Sequence, residues 1–292
     1  MNPSKRVTEA IARLTDYKSF DKIYHQSAEG QAMPSITALQ EIVLLARTIL
    51  FPGYFGELHT QKDVIPQQIR DGVTRLHALL VEQIRAGLYF SCPEQVPCEG
   101  ITQDAHDKAS EFVARLPQIR ETLISDVEAM YNSDPAATSY GEIIFCYPAI
   151  RAIGNYRIAH ELLLLGVPMI IPRIITEMAH SETGIDIHPG AKIGTHFSID
   201  HGTGIVIGET CIIGNGVQLY QGVTLGAKKF PLDDNGVPIK GIPRHPIIED
   251  NVVIYANATI LGRTVVGANS VVGANTWVTK DVPAGTKVTL NN

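Results

Sequence analysis

The chain has 292 residues, of which 45% are hydrophobic and 18% charged, a globular balance long enough for two domains. Its net charge of −6 supplies no overall basic field to hold nucleic acid or anionic lipid. No secretory leader is read at its start. Its longest apolar stretch, 162–175, contains Pro168, Pro172 and Arg173 and is too short to span a bilayer.

Residues 35–51 carry Ile36, Leu39, Val43, Ala46 and Leu50 on one face, and 66–87 carry Ile69, Val73, Leu76, Leu80 and Ile84. Both follow the stripe of an amphipathic helix. Residues 90–104, with Pro93, Pro97 and Gly100, read as a loop. A further helix is expected to open at Pro117, a suitable first-turn residue, with Ile119, Leu123, Val127 and Met130 on one face. Ser133-Asp134-Pro135 is a predicted turn, because proline drives the residue before it out of the α region. Helices over 139–166 and 169–182 follow. A helical domain, 1–184, therefore ends at Thr183-Gly184, and its apolar stripes read as core or subunit interface. Cys92 and Cys98 have a spacing that suits no common zinc site. With Cys146 and Cys211 they read as thiols of a reduced, cytoplasmic protein.

From residue 185 the period changes to six. Ile187, Ile193, Ile199, Ile205, Cys211, Val217 and Val223 share one phase, and Ile248, Ile254, Ile260, Val266, Val272 and Val278 resume it after an interruption. A hexapeptide period marks a parallel β-helix, in which one hexad is a strand plus a corner and residues about 18 apart stack. Neither a helical period nor the alternation of an ordinary β-sandwich fits. Gly190, Gly194, Gly208, Gly214, Asn215, Gly267 and Gly273 are assigned to the corners, where positive φ costs them little. Cys211 falls on an inward position and reads as a small core residue.

Chemistry is expected where this pattern breaks. The excursion at 227–246 gathers Lys228, Lys229, Lys240, Arg244 and His245 in an acidic chain and reads as an arm that contacts an anionic ligand. Polar residues crowd Asp186-Ile187-His188 and Ser198 to Gly204. Asp186 and His201 fall on neighbouring coils, and a carboxylate that orients an imidazole is the usual arrangement for a general base. An imidazole with its unperturbed pKa near ~6.5 accepts a proton at neutral pH.

These pieces resemble serine O-acetyltransferase. The resemblance is carried by Tyr156-Arg157-Ile158-Ala159-His160, Asp186-Ile187-His188-Pro189, Asp200-His201-Gly202-Thr203-Gly204, Gly208-Glu209-Thr210, Gly222-Val223-Thr224-Leu225-Gly226 and Arg244-His245-Pro246. It implies a left-handed parallel β-helix over 185–292, a homotrimer or dimer of trimers with active sites between subunits, and acetyl transfer from acetyl-CoA to the L-serine hydroxyl, the entry step to cysteine. By the family's motifs His201 would be the general base and Asp186 its partner. Arg244 would hold the serine carboxylate with His245 beside it, and Asp134 and Asp200 would bind the ammonium group. A zwitterion needs one cation and one or two carboxylates around it, so this charge pattern suits serine in its own right. The oxyanion donor cannot be assigned from sequence.

CoA would lie against backbone at Gly222, Gly226, Ala227 and Ala256. Tyr255, Asn257 and Ala227 depart from glycines usual in the family, and the arm is longer than usual. Feedback inhibition by L-cysteine is expected, since cysteine offers the same zwitterion. No resident metal is expected. The tail after the last hexad is shorter than the one that docks into cysteine synthase, so that complex is not expected.

Three rivals share the scaffold. A zinc enzyme like the γ-class carbonic anhydrases would use His196 and His201, spaced H-x4-H, with His180 or His188 as a third ligand. It leaves Asp186, Arg244 and Asp134 without a role. An acetyltransferase for a sugar or xenobiotic has no need of the Arg and Asp pair. A non-enzymatic trimeric scaffold gives no reason for the polar crowding.

Overall fold

The computed structural model describes residues 4–25, 32–56, 62–92, 100–229 and 231–290. Pro93, Pro97, Cys98, Phe230, Asn291 and Asn292 lie outside the described residues. Among the described residues seven α-helices come first: α1 (Lys5–Leu14), α2 (Ile36–Leu50), α3 (Ile65–Ser91), α4 (Ile101–Ser133), α5 (Tyr140–Cys146), α6 (Pro148–Leu164) and α7 (Ile170–Thr183). The exposed helix α1 was not anticipated from the sequence.

Two helices depart from expectation. Helix α4 starts at Ile101, so Pro117 lies inside it. An interior proline costs a helix about 3 kcal/mol or more. Here the buried stripe Ala105, Ala109, Phe112, Leu116, Ile119 and Leu123 runs through the proline on both sides and holds the helix continuous. The helix expected over 139–166 is two helices, because Pro148 places Tyr147 in the extended region (ψ 124°) and then opens α6 as its first residue.

Fourteen short strands follow: β1 (Asp186–Ile187), β2 (Lys192–Ile193), β3 (Ser198–Asp200), β4 (Val206–Ile207), β5 (Ile212–Ile213), β6 (Gln218–Tyr220), β7 (Thr224–Gly226), β8 (Ile247–Ile248), β9 (Val253–Ile254), β10 (Thr259–Leu261), β11 (Val265–Val266), β12 (Val271–Val272), β13 (Trp277–Val278) and β14 (Lys287–Val288). They form three parallel faces, β1-β4-β7-β10-β13, β2-β5-β8-β11 and β3-β6-β9-β12-β14. This is the left-handed parallel β-helix of hexapeptide repeats.

The register corrects the single six-residue phase. Ile207 pairs with Leu225, eighteen residues on, but Ile187 pairs with Ile207 and Ile199 with Leu219, twenty residues on. Each hexad has two inward positions, and both rows are apolar until Thr264, Ser270 and Thr276 enter one of them in the last coils. The count that runs from Ile199 to Ile205 crosses from one row to the other. The first coil carries two extra residues, and they fall in the corner between β3 and β4. A larger insertion separates Ile213 from its partner Ile248, 35 residues on, and forms the arm.

The corner glycines named above do not have positive φ. They are glycine because the next coil lies too close: a Cβ on Gly214 would meet Asp250 Oδ1 at 2.2 Å, and one on Gly267 would meet Ala284 N at 2.4 Å. The left-handed corners stack elsewhere, at Gly184, Gly204, Gly222, Asn257 and Asn275, with φ between 59° and 83°.

The Tyr-Arg-Ile-Ala-His segment of α6 docks the helices onto the first coil. Tyr156 Oη donates to Ala191 O (2.7 Å), and Arg157 donates to the carbonyls of Ile193 and Gly194 (both 2.6 Å). Nδ1 of His160 lies 2.7 Å from Pro189 O. Arg157 also forks onto buried Asp126 of α4, both contacts 3.1 Å, and Asp126 accepts the Phe197 N–H at 2.9 Å. No described helix is long and apolar enough to cross a membrane.

Candidate active site

The two extra residues of the first coil are the source of one half of the site. In the regular corner between β6 and β7, Gln221 and a left-handed Gly222 suffice. Between β3 and β4 the chain adds His201 and Gly202, both at positive φ (60° and 91°), and the added bulge carries the His201 side chain out to 70% exposure. Its Nε2 lies 3.6 Å from Asp200 Oδ1. Asp134, in the turn after α4, lies close enough to feel the His201 charge. The hydroxyl of Tyr147 and the N–H of Ala136 (2.8 Å) donate to its carboxylate and hold it below the usual carboxylate range. Tyr220 closes this group, its phenol pushed up by burial and by Asp200. Tyr255 stacks on it, centroids 5.0 Å apart.

A second group occupies the next edge of the prism, after β1, β4 and β7. Arg244 Nη2 donates to Glu209 Oε2 at 2.7 Å. His245 is buried over Gly208, where a Cβ would stand 2.1 Å from the ring. The N–H of Thr210 donates to His245 Nδ1 (3.1 Å), and Thr210 Oγ1 lies 2.9 Å from the same nitrogen. Burial, with Arg244 nearby, pushes the His245 imidazole down to about 4. Burial also lowers His188, which feels Arg173, Glu209, Asp186 and Arg244. The arm walls this edge with a cleft of about 440 Å³ lined by Glu209, Pro238, Ile239, Lys240, Gly241 and Arg244.

Asp186 sits with this second group. Its Oδ1 is 3.9 Å from Arg173 Nη1, whereas the carboxylates near His201 within the chain are Asp200 and Asp134. The residues expected to meet CoA divide in the same way. Gly222 and Ala256 lie on the His201 edge, Gly226 and Ala227 on the His245 edge. Gly222 has a reason within the chain for being small, since a Cβ there would meet Asn257 Oδ1 at 2.0 Å.

The zinc set of the rival reading is not assembled. His196 and His201 sit at successive corners, on opposite sides of β3. Among the described residues the one cluster with metal-ligand spacing is Glu177, His180 and Asp186. Arg173 already occupies it, paired with Glu177 at 2.5 Å.

Residues 245–280 match the family described as bacterial transferase hexapeptide (six repeats), and 198–221 match the hexapeptide repeat of succinyl-transferase. The chain is 46% identical over 285 residues to a plasmid serine acetyltransferase of Synechococcus elongatus, covering 95% of this chain and 89% of that protein. The chain belongs to the serine acetyltransferase family. Serine acetyltransferases are acyltransferases, with acetyl-CoA as co-substrate. The crystal structure of Entamoeba histolytica serine acetyltransferase 1 in complex with L-cysteine superposes with a TM-score of 0.74 at 34% identity, covering 96% of this chain and 94% of that one. The Neisseria gonorrhoeae serine acetyltransferase in complex with serine gives 0.56 at 26%, covering 88% and 95%.

Of the residues gathered on these two edges, the sequence pointed to His201, Asp186, Asp200, Asp134, Arg244 and His245 but gave no part to Glu209, Thr210, Tyr147 or Tyr220. Glu209 and Thr210 lay inside a quoted motif, and their spacing one coil below the arm was the available signal. Nothing in the sequence marks Tyr147 except the proline after it.

Proposed function

We propose that this acetyltransferase moves the acetyl group of acetyl-CoA to the hydroxyl of L-serine at sites built between neighbouring copies of the chain. One observation carries the reading. The imidazole and carboxylates stand on one edge of the solenoid, the guanidinium on another, and a zwitterionic acceptor needs both. A closed trimer juxtaposes the two edges. Asp134 and Asp200 then bind the ammonium group, while Arg244, held in place by Glu209, binds the carboxylate. His201 takes the hydroxyl proton as Oγ attacks the thioester carbon, and returns it to the departing CoA thiolate. Asp186, on the edge of Arg244, reaches the neighbour's His201 as its partner. CoA runs along the seam past Gly222, Ala256, Gly226 and Ala227. L-cysteine, with the same zwitterion, competes for the site, and trimers pair into hexamers or stand alone.

The division into a helical domain, 1–184, and a solenoid domain, 185–292, is part of this reading. Gly184, left-handed at φ 71°, ends α7 there. A cytoplasmic setting fits Cys146 and Cys211, which are free thiols.

Thiol release from acetyl-CoA tests the reading against L-serine, homoserine, a galactoside and chloramphenicol. Serine is expected to be the acceptor, and a rate with another acceptor but none with serine would overturn the assignment. His201→Ala is expected to lower turnover by roughly 10²–10⁴-fold while CoA binding holds.

A further inference from the structure

We propose that Thr210 is a positioning residue that locks His245 as the Nε2–H tautomer, so that this ring serves as a fixed hydrogen-bond donor to the oxyanion and never as a base. The proposal rests on the acetyl-transfer reading above. A backbone N–H can only donate, so the Thr210 N–H at 3.1 Å requires a lone pair on Nδ1. The Thr210 hydroxyl, 2.9 Å from the same nitrogen, must then donate as well. Its oxygen in turn accepts the N–H of Arg244 (2.9 Å) and of His245 (3.1 Å). One hydroxyl thus uses its donor and both lone pairs to fix the main chain of the Arg-His pair and the tautomer of the ring.

The proton of the neutral ring is left on Nε2, which makes no hydrogen bond within the chain among the described residues. The charged and titratable groups facing the ring are Arg244 and Arg263, His188 on the first coil, and Glu209. Burial and the two arginines oppose a second proton on the ring, and Glu209 alone favours one. The ring stays neutral and keeps its donor through the reaction.

The step balances without a proton from His245. The neighbouring copy's general base accepts the serine Oγ proton, and the Oγ–C bond forms. The carbonyl π pair moves onto oxygen, where Nε2–H of His245 meets it. The oxyanion collapses, the C–S bond breaks, and the thiolate takes the proton back from the base. Donors placed for the oxyanion, rather than for the ground-state carbonyl, lower the barrier.

Nitrogen-15 spectra of the histidine side chains test the lock directly, with His245 assigned by the signal lost in His245→Gln. The wild-type ring is expected to show an unprotonated Nδ1 and a protonated Nε2 between pH 6 and 8, with no titration. Thr210→Ser keeps the hydroxyl and is expected to keep both the tautomer and the turnover. Thr210→Val keeps the backbone N–H but loses the hydroxyl that donates to Nδ1 and accepts the Arg244 and His245 N–H groups, and is expected to lower kcat by roughly 10²-fold with KM for acetyl-CoA little changed. A wild-type ring protonated at Nδ1, or a folded Thr210→Val protein with wild-type kcat, would overturn the lock. Absence of serine acetylation by wild-type protein would fail the transfer reading instead, and the spectra judge the tautomer in either case.

Discussion

At the scale of single residues, the proposed site sets an exposed histidine apart from a buried one. His201 stands out in solvent on a left-handed bulge, and His245 is buried against Gly208. The folded His245 takes up its proton only at about 4, and His188 and His160 are also shifted down, chiefly by burial. An unfolded histidine takes up its proton near ~6.5. As pH falls from there toward 4 the unfolded chain binds protons that the folded chain refuses, so stability present above pH 6.5 is lost on the way down. Thermal melts are expected to fall over that interval and to fall less steeply in His245→Gln. A melting temperature flat from pH 7 to 4.5 would count against a buried neutral His245. The identities of these residues were legible in the sequence, because polar residues on an apolar repeat stand out. The protonation of His245 was not, since it depends on burial over Gly208 and on charges that only coil stacking brings near.

At the scale of elements, the junction between α6 and the first coil is set by one buried ion pair. Arg157 forks onto Asp126, which is fully buried, and directs two further N–H groups to solenoid carbonyls. Removing one partner leaves a buried charge alone, so Asp126→Ala is expected to destabilise the protein by about 3–5 kcal/mol. Breaking the solvent-screened Arg75–Glu41 pair is expected to cost far less. Denaturant melts of the two variants, measured side by side, check the contrast, and equal losses would contradict it. The sequence showed the Tyr-Arg-Ile-Ala-His segment plainly but not its partner. An acid on the inward face of α4 breaks the apolar stripe and reads as noise until α4 and α6 are seen to pack. The same packing hid the true start of α4, because Pro117 signals a first turn and only tertiary burial overrules it.

At the scale of the whole molecule, the solenoid is a ruler whose two irregularities place the residues of the proposed site. One coil is lengthened by two residues to expose His201 on one edge, and a long arm delivers Arg244 and His245 to the next edge. The repeat itself was readable from its apolar rows. The slip between rows was not, because both rows point inward and both are apolar where it occurs, at Ile199 and Ile205. The central claim is that neighbouring copies complete each site, and mixed oligomers test it most directly. Co-expression of His201→Ala with Arg244→Ala pairs two variants, each inactive alone. With random mixing a site takes both intact edges in about one case in four, so activity near a quarter of wild type is expected. Mixed oligomers as inactive as either parent would contradict a shared site and return both edges to a single chain.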